Sequence, residues 1–208
     1  MAVAKGSKET STEEKIKEAA RKVFTTKGYA ATRTRDIAEE AGINLALLNY
    51  YFRSKEKLFT IIMLESLQHF MQGIRGVLND ETTSLEEKIA LIVDTYTDML
   101  IDRPDLPLFI LSEIRSNPDE LLSNMGIRGF IFNSNFMKQY QEYARENNKQ
   151  PIPPLQLIMT IIGMTVFPFI ASPLIQKLGD LDPKGFHTLL IERKKTLPKW
   201  IKAIMDCT

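Results

Sequence analysis

Residues 28–55 read GYAATRTRDIAEEAGINLALLNYYFRSK, and the fold turns on this stretch. A short helix is expected from about Arg33 to Ala41, with Ile37, Ala38 and Ala41 on one face. Gly42 follows, where a helix C-terminus favours a residue tolerant of positive φ. Ile43 plugs the corner, and Asn44 is a good N-cap for a second helix running to about Phe52. Two helices joined by so short a glycine-containing turn form a helix-turn-helix. The second helix of that motif can enter a major groove.

On the N-terminal side, Ile16, Ala19, Ala20, Val23 and Phe24 recur at the spacing of one helix face, within a helix over residues 12–27. Ser11 or Thr12 can cap it, and Gly28 stops it. These three helices make a small unit over residues 12–53, preceded by a mobile arm at 1–11. The arm lacks the apolar stretch of a secretory signal.

On the C-terminal side, Ser54 caps a helix of about 24 residues, roughly 36 Å long and able to connect two domains. Helical periodicity resumes at Leu85 and ends at Arg103-Pro104. Residues 106–116 form a short apolar helix, and residues 119–147 read as one further helix, weakened at Gly126 and Gly129. Pro183 to about Asp206 is a terminal helix interrupted or kinked near Pro198. No segment alternates with the period of a strand. The expected fold is all-α: a three-helix N-terminal domain and a helical bundle over residues 54–208, with about nine helices altogether.

The run between Lys149 and Lys177 has no ionisable residue. Pro153, Pro154, Pro168 and Pro173 leave about 13 uninterrupted residues there, short of the roughly 20 a membrane span needs. Burial in a core or between two subunits is the better reading.

Charge gathers around the helix-turn-helix. Residues 1–55 hold 11 Lys and Arg against 7 Asp and Glu, whereas residues 56–208 hold 16 against 19. A positive surface of this kind suits phosphate binding. Cys207 is the only cysteine, so no internal disulfide and no cysteine-rich zinc site can form, in keeping with a reducing cytoplasm. His69 and His187 are isolated. No zinc-peptidase helix, phosphate-binding glycine loop or nucleophile elbow occurs, so neither catalysis nor a cofactor is expected.

Three segments, AARKVFTTKGY, TRDIAEEAGI and NLALLNYYFRSKEKLF, keep their spacing without a gap from Gly28-Tyr29 to Ser54-Lys55. Over Ile16–Phe59 they resemble the DNA-binding domain of the TetR/AcrR family of bacterial repressors. The resemblance implies a homodimer that binds a palindromic operator in double-stranded DNA. It also implies a C-terminal domain that takes a small hydrophobic ligand and dimerises through its last two helices.

The same resemblance assigns DNA contact to Thr34, Arg35, Leu45, Ala46, Asn49, Tyr50, Tyr51 and Lys55. Asn49 can bond an adenine edge in a bidentate way, and Ala46 or Leu45 can meet a thymine methyl. Thr34, Arg35, Tyr50 and Lys55 suit phosphates. The chain departs from the family pattern at Leu45, Asn49 and Tyr50. The helical wheel turns Leu48 and Phe52 inward with Ile37 and Val23, and Ala46 and Tyr50 outward.

Phe109, Ile110, Phe130, Phe136, Met159, Ile162 and Phe167 are candidates to line a ligand cavity, although a plain core uses the same residue types. Tyr96, Glu113 and Asn133 could orient a ligand. Binding in residues 85–177 would swing the helix over 54–78 and change the distance between recognition helices. The alternatives are a ligandless DNA-binding activator or architectural protein, and a carrier or enzyme that keeps the three-helix unit.

Overall fold

The computed structural model describes residues 11–116, 118–119 and 127–207, and the regular structure within them is all helical. In order the helices are α1 (Thr12–Ala31), α2 (Thr34–Glu40), α3 (Leu45–Tyr51), α4 (Lys55–Asn79), α5 (Leu85–Asp102) and α6 (Leu106–Ser116). There follow α7 (Ile127–Phe132), α8 (Asn135–Glu146), α9 (Pro154–Ile170), α10 (Ser172–Leu178) and α11 (Pro183–Asp206). Apart from Ser11, the expected N-terminal arm lies outside the described residues. The chain divides into two compact units, one ending at Ser66 and the other beginning at Leu67.

In the first unit, the face read from sequence is the buried one. Ile16, Ala20, Ile37 and Leu48 are fully or almost fully inaccessible, and Val23, Phe24, Ala38 and Phe52 are buried with them. Full burial of each large apolar side chain is worth roughly 1.5–3 kcal/mol. Gly28 has φ 73° and interrupts the helical dihedrals of α1, so the regular part of that helix ends where the sequence places its stop. Gly42 has φ 66° and turns the chain between α2 and α3. Asn44 caps α3 through its side-chain oxygen, which accepts from Leu47 N at 2.8 Å. The unit also takes in the first turns of α4, which the sequence reading gave to the second domain. Leu58, Phe59, Ile62 and Met63 are buried. The Phe59 ring packs 5.1 Å from Phe24 and 4.5 Å from Tyr29, centroid to centroid.

In the second unit, α5 packs against both α11 and α9, around a core that includes Ile89, Val93, Tyr140, Leu157, Leu197 and Ile201. Ser84 and Glu87 form a reciprocal cap at the start of α5. The single helix expected over 119–147 is divided, and residues 120–126 of it lie outside the described residues. Buried Ser134 caps α8 and donates to Ile131 O at 2.7 Å, closing α7 before α8 begins. The turn between α4 and α5 is held from α8, where Asn135 Nδ2 donates to Asp80 O and Gln139 Nε2 to Thr83 O. α11 runs through Pro198 as one helix.

The uncharged run forms α9 and α10, bent by 71° at Ala171, so that among the described residues no single helix is long and apolar enough to cross a membrane. α9 buries Leu157, Ile161, Thr165 and Pro168 on one side and leaves Leu155, Met159 and Phe167 exposed on others. Pro168 carries no N–H, so the Met164 carbonyl one turn earlier has lost its helical donor. Arg193 of α11 replaces it, with Nη2 at 2.9 Å and Nε at 3.3 Å from that oxygen. Its guanidinium lies 5.2 Å from the centroid of the Trp200 ring.

Candidate nucleic-acid interface

The exposed side of α3 carries the residues the sequence nominates. Ala46, Asn49 and Tyr50 face solvent, while Leu48 beneath them is fully buried. Tyr50 is 79% exposed and stands edge-on to Tyr51, with ring centroids 5.4 Å apart. Leu45 is half-buried, which suits a residue at the edge of the reading face. On α2, Arg35 is exposed and Thr34 half-buried at the first turn.

Arg35 makes no ion pair among the described residues, and neither does Arg53, which is exposed in the link between α3 and α4. Arg53 was not singled out from sequence. Its signal is its place between two nominated residues in the basic half of the chain. Asp36 is engaged inward. Its carboxylate accepts from the backbone N–H of Arg33 at 2.9 Å, and that bond, with Lys27 nearby, holds its pKa below the usual range.

Lys55 is differently placed from the other nominated residues. It is half-buried, and its Nζ donates to the carbonyls of Tyr29 and Thr32, each at 2.9 Å. Ten residues along α4, Glu65 accepts from Lys17 at 2.8 Å and from Arg21, both on α1. Burial raises the pKa of Glu65, but the bonds and charges of Lys17 and Arg21 outweigh it and leave the pKa lowered.

The second unit holds a small cavity of about 50 Å³. It is lined by Ile74 and Leu78 of α4, Ile92 and Tyr96 of α5, Ile131 of α7, Phe136 and Met137 of α8, and Ile158, Ile161 and Ile162 of α9. The Tyr96 ring packs on Phe70, and burial pushes its hydroxyl pKa up. Of the nominated pocket residues the structure thus gathers Tyr96, Phe136 and Ile162.

The other nominated residues lie off this cavity. Phe109 is buried elsewhere in the unit, and Ile110 and Phe130 pack on the core from outside. Glu113 is half-buried on α6 and Asn133 is exposed. Met159 and Phe167 are more than half exposed, because a helix apolar all round offers no polar face to mark its outer side. The remaining aliphatic lining residues, Ile74, Leu78, Ile92, Ile131, Ile158 and Ile161, are not marked by sequence because core packing uses the same types at the same spacing.

Residues 16–61 match the model of the bacterial regulatory proteins, tetR family. The match runs from α1 through the first turns of α4, the helix-turn-helix segment. A Bacillus subtilis (strain 168) relative named "Probable HTH-type transcriptional regulator YttP" is 22% identical over 199 residues, spanning 93% of this chain and 94% of that protein. The fold matches the fatty acid degradation regulator FadR from Bacillus halodurans with a TM-score of 0.60, at 20% identity over 92% of this chain and 96% of that one. It also matches FadR from Bacillus subtilis, solved in complex with stearoyl-CoA, with a TM-score of 0.56 at 18% identity over 88% and 96% of the two chains.

Proposed function

We propose that this chain is a TetR-family transcriptional regulator, a cytoplasmic homodimeric repressor that binds an inverted-repeat operator and is released by an apolar small molecule. The observation that carries the reading is the lining of the cavity by Ile74 and Leu78. Both belong to α4, the helix whose first turns are part of the DNA-binding unit. The cavity is far smaller than the roughly 300–1,000 Å³ of pockets that hold drug-sized ligands. A ligand must therefore widen it, and widening displaces the distal part of α4. Operator affinity then falls by the ligand's differential affinity for the two arrangements.

Thr34, Arg35, Tyr50, Tyr51 and Arg53 are assigned to phosphates, and Asn49, Ala46 and Leu45 to base edges. The exposed apolar side chains of α9 and α11, Leu155, Met159, Phe167, Trp200 and Ile204, are assigned to the contact with a second copy. Phosphate contacts are shared by all sequences, so Arg35→Ala, present in both copies of the dimer, should lower the salt slope by about 1.8 on any duplex. Asn49→Ala should instead relax preference at one base pair in each half-site.

Long-chain acyl-CoA is the first ligand to test, because the cavity lining is almost wholly hydrocarbon and Bacillus subtilis FadR binds stearoyl-CoA in its solved complex. Full-length protein on a genomic DNA fragment that it has selected should be released by stearoyl-CoA and not by coenzyme A. Retention with stearoyl-CoA and with a panel of shorter acyl-CoA esters would favour a ligandless regulator instead.

A further inference from the structure

A lysine just beyond a recognition helix is naturally read as a phosphate ligand, but the ammonium of Lys55 is already engaged. Two of its three donors go to the main-chain carbonyls of Tyr29 and Thr32, and Nζ lies 4.2 Å from the centroid of the Tyr29 ring. Thr32 stands just before α2 and Lys55 begins α4, so these bonds join the two ends of the helix-turn-helix. The Glu65 bonds to Lys17 and Arg21 form a second tie between α4 and α1. Ten residues of helix separate the ties by roughly 15 Å. With Leu58, Phe59, Ile62 and Met63 buried between them, the two ties fix the direction of the first turns of α4 on α1. The first compact unit ends just beyond the second tie, at Ser66.

We propose that Lys55 is a positioning residue for DNA binding and not a phosphate ligand. With Glu65 it fastens the first turns of α4 to α1, so that α4 and the recognition helix move as one body.

Lys55→Met removes the three donors and keeps the length of the apolar stem. Binding of the full-length variant is measured by fluorescence anisotropy between 50 and 200 mM salt. The probes are a genomic fragment selected by the wild-type protein and a mixed-sequence duplex of about 30 base pairs. Affinity for the selected fragment should fall about tenfold with the salt slope unchanged, while binding to the mixed duplex stays as in the wild type. A slope lower by about 1.8 on both duplexes, one phosphate for each copy in the dimer, would identify a phosphate ligand and overturn the proposal. Unchanged affinity of the folded variant on both would overturn it too. A second measurement needs no variant: acetylation of Lys55 in the wild-type protein should be slow without DNA and no slower with it. Fast acetylation that DNA suppresses would contradict the proposal.

Discussion

Replacing Arg193 by Met should destabilise the second unit by about 1–2 kcal/mol, and most of that loss should disappear when Pro168 is replaced as well. Pro168 deprives the Met164 carbonyl of its helical N–H donor, and the Arg193 guanidinium supplies two donors in its place, at 2.9 and 3.3 Å. A hydrogen bond to a charged group contributes roughly 1.5–3 kcal/mol net, and an unsatisfied buried carbonyl costs roughly 1–3 kcal/mol. Arg193 is only part-buried, and burial lowers its pKa, so the lower part of that range applies. Pro168→Ala restores an N–H at position 168, which can bond the Met164 carbonyl within α9. In that background Arg193→Met removes a spare donor, and the two changes should couple by about 1 kcal/mol. The assay is urea unfolding at fixed protein concentration, followed by circular dichroism and by the fluorescence of Trp200, the only tryptophan. An equal cost of Arg193→Met in both backgrounds would refute the argument. It would assign the role of Arg193 to packing on the Trp200 ring.

Leu48 is fully buried under the recognition helix, so Leu48→Ala should cost about 2–5 kcal/mol and lower the melting temperature of the first unit; a loss below about 0.5 kcal/mol would mean that α3 is not anchored there. Glu65 has a pKa depressed below its ordinary 4.5, so its bonds to Lys17 and Arg21 contribute stability above that pH, which is lost as pH falls through the folded value. Glu65→Gln should therefore flatten the acid limb of the stability curve, and an unaltered limb in urea titrations between pH 6 and 3 would sink the assignment. Tyr96→Phe removes the one polar side chain among the described residues that line the cavity and should leave stability within about 0.5 kcal/mol of the wild type while weakening any ligand that bonds the hydroxyl. A large destabilisation in unfolding measurements would show that the hydroxyl is structurally required.

The first unit was legible in the sequence because its determinants are local. Gly28, Gly42 and Asn44 act on the backbone within a few residues of themselves, and the face from Ile16 to Phe24 repeats with the period of a helix. The engagement of Lys55 was not legible. Its acceptors are main-chain oxygens 26 and 23 residues away, and no side-chain pattern encodes them. Arg193 was hidden for the same reason, since its partner is a carbonyl freed by a proline 25 residues earlier in the chain. In α9, a surface apolar on every side gave no direction to Met159 or Phe167, which the structure leaves exposed, while Ile158 and Ile161 reach the cavity. The apolar face shared by pocket and core is the point at which periodicity loses its power to assign function.

The most direct test of the account is to let the full-length protein select fragments from sheared genomic DNA of its own source and to footprint those it retains. The account predicts enrichment of a few fragments, each protected at two inverted half-sites about one helical turn of 10–10.5 base pairs apart, or a whole multiple of it. Protection should be lost with Asn49→Ala at one position in each half-site. Uniform retention of all fragments, or protection with no inverted repeat, would contradict sequence reading by a pair of α3 helices.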